Sequence, residues 1–144
     1  MNEKHVPDKK LCLEFNTLCK EKGIVVPETE MYWKVGKASG HANLTTDKPD
    51  LENWTKTDKG FDWYLAPLVS EQGEWLPQRI TKNKGQQVWA LQCFKKMHNG
   101  KEEWFTRYEN VEGTGFLNMQ DPTEANARQK MINYGIAEGI ITTL

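Results

Sequence analysis

Asn99-Gly100, set in the middle of a long run of alternating residues, constrains this chain more than any other feature. Both residues tolerate the positive φ that a two-residue hairpin turn demands, so the pair predicts two long antiparallel strands from Gln86 to Glu109. Folding about the turn sets His98 opposite Lys101, Lys96 opposite Glu103, Lys95 opposite Trp104, Phe94 opposite Phe105, Gln92 opposite Arg107 and Leu91 opposite Tyr108. Opposite charges and paired rings then meet across the strands, which supports this register over its neighbours. Alternation divides the hairpin into two faces. One carries Trp89, Leu91, Cys93, Lys95, Trp104, Thr106 and Tyr108; the other carries Val88, Ala90, Gln92, Phe94, Lys96, Glu103, Phe105 and Arg107.

The apolar face needs a second layer, and the remaining patterns supply helices. Asp8 is placed to cap a helix with Leu11, Cys12, Phe15, Leu18 and Cys19 on one stripe, ended by Gly23. A shorter helix is expected to open with Pro67 in its first turn, to carry Leu68, Val69, Gln72, Trp75 and Leu76, and to end at Pro77. Near the C-terminus, Asp121 reads as an N-cap, Pro122 as the first helical residue and Glu124 as the returning side chain of a capping box. Ala125, Ala127, Met131, Ile132 and Ile136 follow, with Gly139 as the stop. Met31, Trp33 and Val35 alternate with Tyr32 and Lys34 in a strand, and Phe61 to Leu65 and Phe116 to Met119 read as two short strands. The expectation is a single α+β domain over residues 1–144, an antiparallel sheet of about four to five strands with three helices mainly on one face. Residues 36–60, punctuated by Gly36, Gly40, Pro49 and Gly60, form a stretch too long for a plain connection, so it is functional, partly disordered or conceals a short hairpin; an ordered excursion with a mobile tip is the favoured expectation.

Charge narrows the function classes. Nineteen Lys and Arg against twenty Asp and Glu give a net charge of -1, which excludes the sequence-wide basic bias of a general nucleic-acid or membrane-surface binder. No apolar run approaches the roughly 18 residues of a transmembrane helix, and Met1 to His5 lead into polar residues without the apolar core of an export signal. A cytoplasmic place without membrane partners is expected. Three cysteines, Cys12, Cys19 and Cys93, form no C-x-x-C pair and suit reduced thiols.

Catalytic constellations are scarce. His5, His41 and His98 are scattered, metal-ligand spacings are lacking, and there is no nucleophile elbow or phosphate-binding glycine loop. Cys93 falls on the apolar hairpin face, where an inert thiol is the ordinary reading, and Glu71 with Glu74 reads as a solvated helix face. The expectation is a non-enzyme with no catalytic residue, metal or cofactor.

Binding residues are better represented. Aromatic rings stack on planar ligands and cations meet phosphates through charge-assisted hydrogen bonds. The chain has six tryptophans. Trp33, Trp75, Trp89 and Trp104 belong to predicted elements and read as scaffold, whereas Trp54, Trp63 and the adjacent Tyr64 flank the long loop. Arg79, Lys82 and Lys84 make a local basic run after the second helix, and Gln92, Phe94, Phe105 and Arg107 share a hairpin face. Arg107 sits in mid-strand, with Glu103 or Glu109 as its ordinary salt-bridge partner. The candidate ligand-binding set is therefore Trp54, Trp63, Tyr64, Arg79, Lys82, Gln92, Phe94, Phe105 and Arg107.

Three segments carry a resemblance: the opening helix followed by Glu28-Thr29-Glu30-Met31-Tyr32-Trp33, the stretch Ala66-Pro67-Leu68-Val69-Ser70-Glu71-Gln72-Gly73-Glu74-Trp75-Leu76-Pro77, and Thr123 to Met131 running on to the end. In this order they resemble a family of small accessory proteins from phages and prophages of gut bacteria. The chain departs from that pattern at Tyr134 to Gly139, where the family has a more leucine-rich stretch. The resemblance implies phage origin, action inside a bacterium and a non-essential role, and it implies no enzymatic chemistry. Joined to the aromatic and basic surfaces, it points to sequestration of a nucleotide-type immune signal. A homo-oligomer would enclose such a ligand more fully at its subunit interfaces. The alternative is direct inhibition of a host defence protein, and a third reading is a minor phage protein of other role.

Overall fold

A computed structural model describes residues 5–46, 60–82, 87–113 and 115–144. Trp54 and Lys84 lie outside these residues. The elements run α1 (Lys9–Lys22), β1 (Tyr32–Gly36), β2 (Ala42–Thr45), β3 (Phe61–Leu65), α2 (Val69–Trp75), β4 (Arg79–Lys82), β5 (Gln87–His98), β6 (Lys101–Asn110), β7 (Phe116–Asp121) and α3 (Glu124–Ala137). They build one α+β domain with the expected three helices and antiparallel pairing. The strands divide over two sheets, ordered β2-β1-β3 and β4-β5-β6-β7.

The central hairpin has the expected register throughout, from His98 opposite Lys101 to Leu91 opposite Tyr108. Asn99 (φ 50°) and Gly100 (φ 77°) take the left-handed conformations its turn requires. Two strands went unread in the sequence. β2 follows β1 through a turn in which Gly36 N–H donates to His41 O (3.0 Å) and Gly40 N–H to Gly36 O (2.8 Å), so the polar stretch after Gly36 begins as a hairpin. β4 is the basic run itself, paired along β5 with Arg79 opposite Ala90 and Ile80 opposite Trp89.

Helices cover the apolar face of the four-stranded sheet. Phe15, Trp75, Leu76, Ile80, Tyr108, Met131, Ile132 and Ile136 form the main core, against which Trp89 and Leu91 pack. The Phe15 and Trp75 rings stack with centroids 5.5 Å apart. A second cluster of Val6, Cys12, Met31, Trp33 and Ala66 lies under one face of the smaller sheet, and the Trp33 indole N–H donates to Pro7 O at 2.9 Å. Between the helices runs a chain of buried amides. Gln72 Nε2 donates to Ala125 O (2.9 Å) and Gln129 Oε1 (3.0 Å), Gln129 Nε2 to Asn133 Oδ1 (2.9 Å), and Asn133 Nδ2 to Leu11 O (3.2 Å). All three helices are thereby tied by polar bonds inside an apolar setting, where such bonds are strongest.

Caps decide the helix limits. Asp8 accepts from Leu11 N–H at 3.0 Å and Gly23 ends α1 in the left-handed region, as expected. The start of α3 is later than the sequence suggests. Asp121 is held in the ladder opposite Trp104 and accepts from Thr123 N–H (3.0 Å), so Thr123 takes the cap and Pro122 precedes the helix. Glu124 turns to Arg128 (2.7 Å to Nη2) instead of returning to the cap. Pro67 likewise precedes α2: Leu68 is extended, and the Glu71 carboxylate accepts its N–H at 2.6 Å.

Candidate functional site

The four-stranded sheet keeps its second face away from the helices, and strand register determines what stands there. Arg79 lies opposite Ala90, Gln92 opposite Arg107, and Phe94 opposite Phe105; Arg107 is opposite Asn118 on its other side, and Glu109 is flanked by Ala90 and Phe116. Residues directly opposite one another share a face. Five of the candidate residues, Arg79, Gln92, Phe94, Phe105 and Arg107, therefore share this open face.

At its centre, the Phe94 and Phe105 rings stack at 5.2 Å and 7°. Lys96 Nζ lies 4.9 Å from the Phe105 centroid. The Arg107 guanidinium carbon lies 4.7 Å from the Phe94 centroid and 4.7 Å from that of Phe116. It is thus held between two rings, a geometry suited to a planar cation. Phe105 is buried, whereas Phe116 is 57% exposed.

The ordinary partners expected for Arg107 do not reach it. No carboxylate pairs with it among the described residues. Glu109 stands two residues along the strand, about 7 Å of rise away, and one of its oxygens accepts from Gln92 Nε2 at 2.8 Å. Glu103, across from Lys96, keeps one carboxylate oxygen buried and unbonded. Arg107 Nε and Asn118 Oδ1 are also shielded from solvent without a hydrogen-bond partner among the described residues. Orphaned polar atoms of this kind are uncommon in folded proteins and call for an explanation. The face is also cationic: Arg79, Lys96, Lys101 and Arg107 share it with Glu103 and Glu109, although the whole chain carries -1.

At the end of the face remote from the Asn99-Gly100 turn lies a shallow depression of about 350 Å³, lined by Ala90, Gln92, Glu109, Asn110, Val111 and Gly113. Its rim is an ordered turn. Val111 N–H donates to Val88 O (3.1 Å), Gly113 N–H to Asn110 O (2.8 Å) and Asn110 N–H to Gly115 O (2.9 Å).

The structure does not bring the other candidates here. Trp63 and Tyr64 belong to β3 of the smaller sheet, where consecutive residues point to opposite sides. Trp63 lies opposite Lys34, whose ammonium is 4.2 Å from the Phe61 centroid and 4.9 Å from the Trp63 ring. Tyr64 packs against the cluster that contains Trp33; burial, followed by the Asp62 charge, raises its phenol pKa. Lys82 closes β4 opposite Gln87. Phe116 and Asn118 join the face without having been singled out for it. Their signal lay in the pairing of β7 with β6, which the short pattern from Phe116 to Met119 left unspecified.

Groups weighed for catalysis have structural occupations. Glu71 accepts from Leu68 and Glu30 N–H groups. Cys93 Sγ lies 3.9 Å from Thr106 Oγ1. Cys12 and Cys19 are buried, and burial pushes the Cys19 thiol up to about 11 and the Cys12 thiol further still. Among the described residues no group of three or more His, Cys, Asp or Glu is placed to hold a metal ion, and no helix is long and apolar enough to cross a membrane. Comparison with protein-family models, curated proteins and solved structures finds no match to the chain.

Proposed function

We propose that this chain is a non-catalytic binding protein whose open β-sheet face takes a nucleotide-type ligand. The observation that carries this reading is Arg107: a guanidinium ordered between Phe94 and Phe116, with no ion pair to a carboxylate among the described residues. A cation so placed is preorganised for an anion, since little side-chain entropy is left to lose when a phosphate arrives. The 57% exposed Phe116 ring offers a stacking surface beside it. In the reading suggested by the resemblance, the ligand is a host immune signal sequestered in the bacterial cytoplasm by a phage accessory protein, with a homo-oligomer enclosing it. A thermal-shift panel of cyclic dinucleotides, cyclic trinucleotides and ADP-ribose derivatives tests this. A compound present at 100 times its Kd adds about 2.7 kcal/mol and raises Tm by several degrees. At least one compound is expected to do so, and a flat panel at millimolar ligand contradicts the reading.

The second reading, an inhibitor that docks on a host defence protein, draws on a different observation. The face is open rather than enclosed, and Val111 (69% exposed) and Phe116 stand out at its end. Exposed apolar anchors on a flat surface suit a protein partner. Affinity capture from host lysate separates the two: a stoichiometric protein supports docking, and a small molecule released on heating supports sequestration.

A further inference from the structure

The hydrogen-bonding character of the depression beside Arg107 specifies what it would accept. Ala90, the smallest side chain on this part of the strands, is among its lining residues, and its volume of about 350 Å³ is at the lower end of the range of small-molecule sites. Glu109 lies directly opposite Ala90, and Arg107 directly opposite Gln92, so carboxylate and guanidinium are neighbours along one strand. Gln92 spends one amide hydrogen on one oxygen of Glu109 (2.8 Å), which fixes the carboxylate, while its second oxygen has no partner among the described residues. The wall is therefore rich in acceptors and carries the Glu109 carboxylate, within reach of a cation that forms no ion pair among the described residues.

We propose that this depression is the base subsite for a guanine nucleotide. This inference rests on the nucleotide reading of the open face and deepens it. Guanine presents two adjacent donors, N1–H and the N2 amino group, and a carboxylate accepts such a pair through both oxygens. Adenine offers only its N6 amino group beside N1, an acceptor that would face the carboxylate lone pairs. Discrimination of this kind is strong, because a site built around a charged acceptor leaves that acceptor unpaired when the wrong base enters. The flat purine covers Ala90 and Val111, and the phosphate extends along the strand toward Arg107. The strand's rise of about 7 Å between Glu109 and Arg107 suits a nucleotide, whose base and phosphate are joined through a ribose.

Titration calorimetry with GMP, IMP and AMP tests the assignment. GMP is expected to bind at least about tenfold more tightly than AMP, with IMP, which lacks the N2 amino group, between them. In Glu109→Gln the two-acceptor edge is lost, and GMP is expected to fall to the affinity of AMP. Equal binding of GMP and AMP by the native protein overturns the guanine subsite while leaving a nucleotide face standing. If none of the three binds, the nucleotide reading fails and the subsite with it. Persistence of the GMP preference in Glu109→Gln overturns the role given to Glu109.

Discussion

The two sides of the four-stranded sheet handle polar groups in opposite ways. Against the helices, Gln72, Gln129 and Asn133 are fully or almost fully buried, yet their amides form one continuous chain from Ala125 O to Leu11 O, with Gln72 Oε1 the single acceptor left over. On the open side, Arg107, Glu103 and Asn118 each keep a shielded polar atom without a partner among the described residues, although cations and carboxylates share that face. A buried chain whose members satisfy one another specifies how the helices pack. A set of oriented, unsatisfied polar groups lowers stability and is retained where it does something else. On this contrast, the helical side holds the fold, and the open side is the one proposed for binding.

The contrast makes unequal demands on single substitutions. Gln129→Leu deprives Gln72 Nε2 of one acceptor and Asn133 Oδ1 of its donor in a fully buried place, and is expected to cost about 2–4 kcal/mol by chemical denaturation. A cost below about 1 kcal/mol would show that the amide chain does not organise the helices. Alkaline pH should act on the buried layers as well. Burial raises the pKa of Cys19 to about 11 and raises those of Cys12 and Tyr108 as well, for Tyr108 with a smaller contribution from Cys93. Above pH 9 the unfolded chain releases these protons while the folded chain retains them, so stability falls as pH rises from about 9 to 11, by on the order of 1–2 kcal/mol. Cys19→Ala is expected to flatten that fall, as followed by Tm against pH. The smallest effect on stability belongs to the open face. Arg107→Met, which keeps apolar bulk between Phe94 and Phe116, should change stability by less than about 1 kcal/mol in either direction, because no ion pair among the described residues is lost and a shielded charge is removed. The same variant is expected to lose nucleotide-induced stabilisation. A destabilisation comparable to that of Gln129→Leu would make Arg107 a scaffold residue.

Legibility in the sequence follows the range of the forces involved. The hairpin register was readable because Asn99-Gly100 and the cross-strand pairs lie within a few residues of one another. The cap of α1 was readable for the same reason. Asp121 misled because two capping residues stand two apart, and the choice of Thr123 depends on a long-range event, the pairing of Asp121 with Trp104 in the ladder. β4 was hidden because Ile80 is the buried side chain among those described in it, and the segment otherwise reads as a basic run. At the open face, Gln92, Phe94, Phe105 and Arg107 were visible as one surface from hairpin alternation alone. Phe116 and Asn118 were not, since only β6–β7 pairing places them beside Arg107. Nor did composition reveal a locally cationic surface, because acidic residues elsewhere cancel it in the net charge of -1.

Amide chemical-shift mapping of the native protein, titrated separately with GMP and AMP, tests the division of labour between the two sides most directly. The account predicts saturable shifts in at least one titration, concentrated around Ala90 to Phe94, Phe105 to Glu109 and Phe116 to Asn118, with the buried faces of α1 and α3 unmoved. Spectra unchanged by either nucleotide, or shifts confined to the helices, would contradict it.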